Sequence, residues 1–140
     1  MIIKFRAPKI TKILSPEDVF NLIAPYLKKR QRADRDKEHF FVWGLRSNNT
    51  IVYVDLTSVG NLRSTLCEAR EIFRHAIHYG GVNAIILCHN HPSGNLTPSE
   101  SDRKITDQLV QAGKLLQIEV VDHVIISQES YYSFKNEDEI

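Results

Sequence analysis

Apolar positions along this chain follow two rhythms. After Ser15, the residues Phe20, Ile23 and Leu27 recur at helical spacing, with Ala24 and Tyr26 beside them. Ser15 ahead of Pro16-Glu17-Asp18 is an N-cap signal, so a helix is predicted from there to about residue 30. Residues 40–45 and 51–56 read instead as strands, and Ser47-Asn48-Asn49-Thr50 between them is a hairpin signal. A second helix is predicted over about 66–79, stopping at Gly80-Gly81. Residues 83–88 form a short continuous apolar run, which suits a buried strand. Thr97 as N-cap, Pro98 at the first helical position and Glu100 closing a capping box predict a third helix from 98 to about 115. A strand over 118–127, a turn at Gln128-Glu129-Ser130 and a short last strand over 131–134 complete an α/β pattern without internal repeats.

The chemistry concentrates where the buried strand meets the third helix. The segment His89-Asn90-His91-Pro92-Ser93-Gly94 is followed by Ser99 and Asp102. Side chains alternate along a strand, so His89 and His91 share one face while Cys88 and Asn90 point the other way. Pro92, Ser93 and Gly94 end the strand and turn the chain. Ser99 and Asp102 then stand three apart on the first turn of the helix. Two imidazoles and a carboxylate are a full protein ligand set for a catalytic zinc that keeps a fourth position for water. Such a metal lowers the pKa of that water to about 7.

These residues resemble the metal motif of the JAB/MPN (JAMM) metalloprotease superfamily. His89-Asn90-His91-Pro92-Ser93-Gly94 with Pro98-Ser99-x-x-Asp102 resembles the bacterial RadC family in particular, as do Asp122-His123-Val124-Ile125-Ile126 and Tyr132-Ser133-Phe134. The likeness runs from about Leu14 to Phe134. It implies a JAB/MPN-like curved mixed sheet flanked by helices. It also implies His89, His91 and Asp102 as zinc ligands and Ser99 as support for the metal site and the tetrahedral intermediate. The superfamily uses an upstream glutamate where its first helix leads into a strand, and Glu38 matches by position. The implied reaction is hydrolysis of a peptide or isopeptide bond, with Glu38 taking the proton of water and passing it to the leaving amine.

Other candidates are weaker. Glu68 reads as solvated, Glu100 as occupied by the capping box, and Glu71 as structural or substrate-facing. His75 reads as partly exposed, and His78 as a favoured charge near a helix C-terminus. His39 reads as facing solvent at a strand start. His123, in an apolar strand, is either a satisfied core histidine or a group supporting a metal ligand.

Composition narrows the function classes. A chain of 140 residues that is 42% hydrophobic suits one globular domain over 1–140. There is no apolar run long enough for a membrane span and no signal-peptide pattern, since Lys4 and Arg6 follow Ile2 and Ile3 at once. Two cysteines make no disulfide framework, so a cytoplasmic setting is expected. The net charge of +1 is uneven. Lys28-Lys29-Arg30-Gln31-Arg32-Ala33-Asp34-Arg35-Asp36-Lys37 is a basic run, read as a solvated helix end and loop, and Asn136 to Ile140 as a frayed acidic tail. A DNA-contacting, repair-associated module is an alternative function, weakened because about a dozen residues precede the first helix, too few for the helix-hairpin-helix region RadC proteins often carry. A non-catalytic JAB/MPN scaffold is a third. Neither H-E-x-x-H nor a deaminase-type H-x-E with P-C-x-x-C occurs.

Overall fold

The computed structural model describes residues 1–5, 10–60 and 67–140. Five strands form one mixed sheet in the order β2-β1-β3-β4-β5. They are β1 (Glu38–Leu45), β2 (Ile51–Gly60), β3 (Ala84–Asn90), β4 (Glu119–Ile126) and β5 (Tyr131–Ser133). The helices are α1 (Pro16–Lys28), the short α2 (Arg32–Arg35), α3 (Ala69–His78) and α4 (Glu100–Leu116). β1 pairs antiparallel with both β2 and β3, and β4 with β5, while β3 and β4 run parallel. A parallel pair needs a crossover, and α4 is that crossover. Among the described residues no helix is long and apolar enough to cross a membrane.

Every residue of β3 is buried, in keeping with its continuous apolar sequence and central position. Its alternation divides the core in two. Ile85 and Leu87, with Phe40 and Val42 of β1, pack against Ile72 and Phe73 of α3 and Ile105 and Leu109 of α4. Ile86 and Cys88, with Phe41 and Trp43, pack against Val19 and Ile23 of α1 on the other face. The sheet is therefore covered by α1 on one side and by α3 and α4 on the other. His89 falls on the α3/α4 side.

Three boundaries differ from expectation in ways that matter for the site. β1 begins at Glu38 and β2 continues to Gly60, because Glu38, His39 and Phe40 pair with Gly60, Val59 and Ser58. Polar Ser58 and the glycine hid that extension. α4 begins at Glu100, with Ser99 as N-cap, instead of at Pro98 with Thr97 as cap. Two capping boxes were written into this stretch, and the one chosen pairs Ser99 with Asp102. Glu100 is left exposed. The expected start of the helix before β3, at Leu66, lies outside the described residues.

Two surface expectations also change. The basic run is exposed at Lys28, Lys29, Arg32 and Arg35 but contains the helical turn α2, and Arg30 lies 4.1 Å over the Tyr26 ring. The acidic tail is docked, not frayed. Arg103 of α4 grips Glu139 with two bonds, at 2.8 and 3.2 Å, and Tyr132 donates its hydroxyl to the same carboxylate. Paired guanidinium–carboxylate contacts of this kind fix geometry as well as charge.

Candidate metal centre

The end of β3 and the start of α4 bring His89, His91 and Asp102 together. His89 Nε2 lies 2.9 Å from His91 Nε2 and 3.4 Å from Asp102 Oδ1, and His91 Nε2 lies 3.3 Å from Asp102 Oδ2. Tetrahedral zinc with bonds of about 2.0–2.1 Å would set its ligand atoms about 3.3 Å apart. The two imidazole–carboxylate distances are near that spacing, each to a different carboxylate oxygen, and the imidazole–imidazole distance is somewhat tighter. The donor set fits a divalent cation, and among the described residues these three form a group that could hold one.

Local sequence explains the convergence. His89 and Asp102 are buried, and His91 is half-buried at the strand exit. Gly94 has φ 83°, a conformation open to glycine, and its N–H bonds back to the His91 carbonyl at 3.0 Å. That tight return carries the Asn95 carbonyl to 2.6 Å from His91 Nδ1. Since a carbonyl only accepts, the neutral His91 ring holds its proton on Nδ1 and offers Nε2 as a bare lone pair. Asn95 Oδ1 in turn accepts from Thr97 N–H. Ser99 then caps α4: its hydroxyl accepts from Asp102 N–H at 3.0 Å, and its N–H donates to Asp102 Oδ2 at 2.8 Å. The capping box thus aims the carboxylate at the imidazoles.

Electrostatics follow from this placement. Burial works against charge on Asp102, yet the proximity of His89 and His91, which favours the carboxylate most whenever an imidazole is protonated, and the bond from the Ser99 N–H hold its carboxyl well below the ordinary range. Contact with that carboxylate raises His91 above its usual value, against the opposing effect of burial. Burial and the neighbouring His89 press His123 far below its usual value, so it is neutral.

A cleft of about 660 Å³ is lined by His91 and Asp102 together with Glu38, Ser99, Gly60 and Asn95, while His89 lies buried behind them. Phe40 pairs with His89, and continuing that antiparallel register sets Glu38 opposite His91. Directly paired residues share a face, so Glu38 stands on the side of the sheet that carries the imidazoles. A second cavity, of about 260 Å³, lies on the other side of His91 between Ala24, Leu27, Lys28 and Arg35.

The remaining candidates separate cleanly. His123 is buried with both ring nitrogens partnered, Nε2 at 2.7 Å from His89 Nδ1 and Nδ1 at 2.6 Å from Thr106 Oγ1, so it is a satisfied core histidine that also touches His89. His39 is buried, contrary to the solvent-facing expectation, because β1 starts earlier and places it inside the sheet. Glu71 and Glu68 are exposed beside Arg74 and Arg70. His75 is partly buried near Asp55 and His78 is exposed, both away from the centre.

Sequence reasoning missed Asn90, Asn95 and Thr106. Asn90 points away from the imidazoles, and its side chain bridges to β1: Oδ1 accepts from His39 N–H at 2.6 Å and Nδ2 donates to Lys37 carbonyl at 3.1 Å. Those two bonds bracket Glu38. An asparagine inside an otherwise apolar buried strand was the available signal, since a buried amide needs partners. Asn95 acts through its backbone and Thr106 through a helix hydroxyl, and neither leaves a pattern in the sequence.

The chain is similar to known proteins over most of its length. A family model described as the RadC-like JAB domain matches residues 13–139. A UPF0758 protein of Chlorobium chlorochromatii is 41% identical over 127 residues, covering 91% of this chain and 54% of the relative. One from Symbiobacterium thermophilum is 42% identical over 123 residues, covering 88% and 50%. One from the archaeon Methanosarcina barkeri is 36% identical over 126 residues, covering 90% and 52%. The chain spans about half the length of these curated relatives. With a family match over nearly its whole length and a His-His-Asp group at the junction of β3 and α4, the chain belongs to the RadC-like JAB domain family.

Proposed function

We propose that the chain is a zinc-dependent hydrolase of peptide or isopeptide bonds. The observation that carries this reading is the meeting of two imidazole Nε2 atoms and one carboxylate beside an open cleft that His91 and Asp102 line. Two neutral imidazoles and one carboxylate suit zinc and leave it positively charged. Bound there, the ion supplies a Lewis acid that polarises a substrate carbonyl and makes water nucleophilic near neutral pH.

The chain's own groups do the rest. Glu38, on the same face of the sheet and lining the same cleft, takes the proton from the attacking water and returns it to the departing amine. The Ser99 hydroxyl accepts from Asp102 N–H, which leaves its own proton free to donate to the developing oxyanion. Asp102, held by the Ser99 N–H, would present its carboxylate to the ion. The substrate is a protein or peptide.

The experiment is elemental analysis of the wild type beside His91→Ala, followed by a peptide-hydrolysis screen on both. One zinc and measurable cleavage in the wild type, both lost in the variant, are expected. A zinc-loaded wild type that cleaves no peptide or isopeptide substrate across the screen contradicts the assignment. A nucleic-acid-contacting role would instead give salt-sensitive DNA binding in an anisotropy titration.

A further inference from the structure

A neutral imidazole carries one proton, on either Nδ1 or Nε2, and only the bare nitrogen can bind a metal. His91 has its choice made by the Asn95 carbonyl. His89 has no carbonyl partner on Nδ1. It faces another imidazole, His123, which could donate or accept with equal ease. What settles the matter lies further along.

Three short contacts run in series through the core. His89 Nδ1 is 2.7 Å from His123 Nε2, His123 Nδ1 is 2.6 Å from Thr106 Oγ1, and Thr106 Oγ1 is 2.7 Å from the backbone carbonyl of Asp102. The last member can only accept. Thr106 therefore gives its single proton to that carbonyl, and its oxygen can only accept from the other side. His123 must then hold its proton on Nδ1 and present a lone pair at Nε2. His89 must donate into that lone pair from Nδ1. Its Nε2 is left bare, facing His91 and Asp102.

We propose that Thr106 and His123 are positioning residues that set the tautomer of His89 before an ion arrives. The direction of the whole series comes from the backbone of Asp102, whose side chain completes the ligand set. All four residues are at most 5% exposed, so water does not substitute for a missing partner. The elements make the series rigid. Thr106 sits one helical turn after Asp102 on α4, and β4 pairs Leu87 with His123 in parallel register, which sets His123 on the face that carries His89. With both Nε2 atoms bare at 2.9 Å, two lone pairs face each other, and a cation between them and Asp102 relieves that repulsion.

This inference rests on His89 serving as a metal ligand and not on the peptidase reading. Its test uses the metal-free full chain labelled with ¹⁵N at histidine, in which long-range ¹H–¹⁵N correlation spectra read each tautomer. His89 is expected as the Nδ1–H form. Thr106→Val keeps the shape and removes the hydroxyl. His123 then loses its acceptor and is expected to move its proton to Nε2, which drives His89 to the Nε2–H form. Zinc affinity, read by competition with a chromophoric chelator, should fall roughly 10- to 100-fold. Thr106→Ser should restore both the spectrum and the affinity. Wild type showing His89 as Nε2–H, or Thr106→Val retaining the wild-type spectrum and affinity, overturns the proposal. A wild type that binds no zinc removes the metal reading, while the tautomer spectrum still decides this one.

Discussion

Asp102 and Ser99 each do two jobs with one side chain. The Asp102 carboxylate closes a capping box and lies within 3.4 Å of both imidazoles. The Ser99 hydroxyl caps α4 and faces the cleft. Ser99→Ala should therefore register in two measurements. Thermal or denaturant unfolding should show a loss of about 1 kcal/mol for the missing cap, and turnover should fall by about 10²–10³ for the missing oxyanion donor. An unchanged turnover would separate Ser99 from the reaction. Glu38→Gln should keep zinc bound and lower turnover by roughly 10²–10⁴, the usual worth of a general base. Retained turnover in that variant would discard Glu38 as the base. The convergence of His89, His91 and Asp102 was legible in sequence because alternation along a strand and the three-residue step of a helix turn are strict geometric rules. Asn95 was not, because a backbone carbonyl carries no residue signature.

At the scale of elements, the site depends on how β1 is held against β3. Asn90 is the clamp: it turns its amide away from the imidazoles and bonds on either side of Glu38. Asn90→Ala removes partners from a buried N–H and a carbonyl, at a cost of about 1–3 kcal/mol in stability. It should also lower turnover while leaving zinc affinity close to wild type, since His89 and His91 keep their own supports. Equal loss of zinc affinity and turnover would show instead that the whole β3 end had moved. The strand pairing itself was only half readable. Residues 40–45 and 51–56 announced a hairpin by their apolar and β-branched content, whereas the added pairs at Glu38–Phe40 and Ser58–Gly60 rest on main-chain bonds that polar side chains conceal. The start of α4 was ambiguous for a sharper reason. Thr97/Glu100 and Ser99/Asp102 both satisfy the capping pattern, and tertiary contact with the imidazoles distinguishes them.

Across the whole molecule, one sheet with helices on both faces places polar chemistry at the carboxyl end of β3 and leaves the apolar bulk to either side. The α/β class and the order of elements followed from periodicity and caps, but the docked tail did not, because Arg103–Glu139 is a single ion pair between distant segments. The same end of the chain is tied down by Asp122. That buried carboxylate accepts from Ser133 Oγ, from Lys135 N–H and from His123 N–H. Burial outweighs those bonds and raises its pKa above the ordinary value. A raised folded-state pKa means the fold favours the protonated form. The contribution is thus fully present below about pH 4, the unfolded value, and is lost as pH rises through the folded one. The stability difference between wild type and Asp122→Asn should shift in favour of the asparagine as pH climbs from about 4 to 7, measured by denaturant melts. A shift of opposite sign would mean that the hydrogen bonds prevail over burial.

All of this turns on whether His89, His91 and Asp102 hold one divalent ion between them. The direct measurement is a zinc titration of metal-free protein against a chromophoric chelator, with His89→Ala, His91→Ala and Asp102→Ala run alongside. The expected result is a single tight site in the wild type that each substitution weakens severely. Stoichiometry and affinity unaffected by any of the three, or a wild type that fails to compete for zinc, would contradict it.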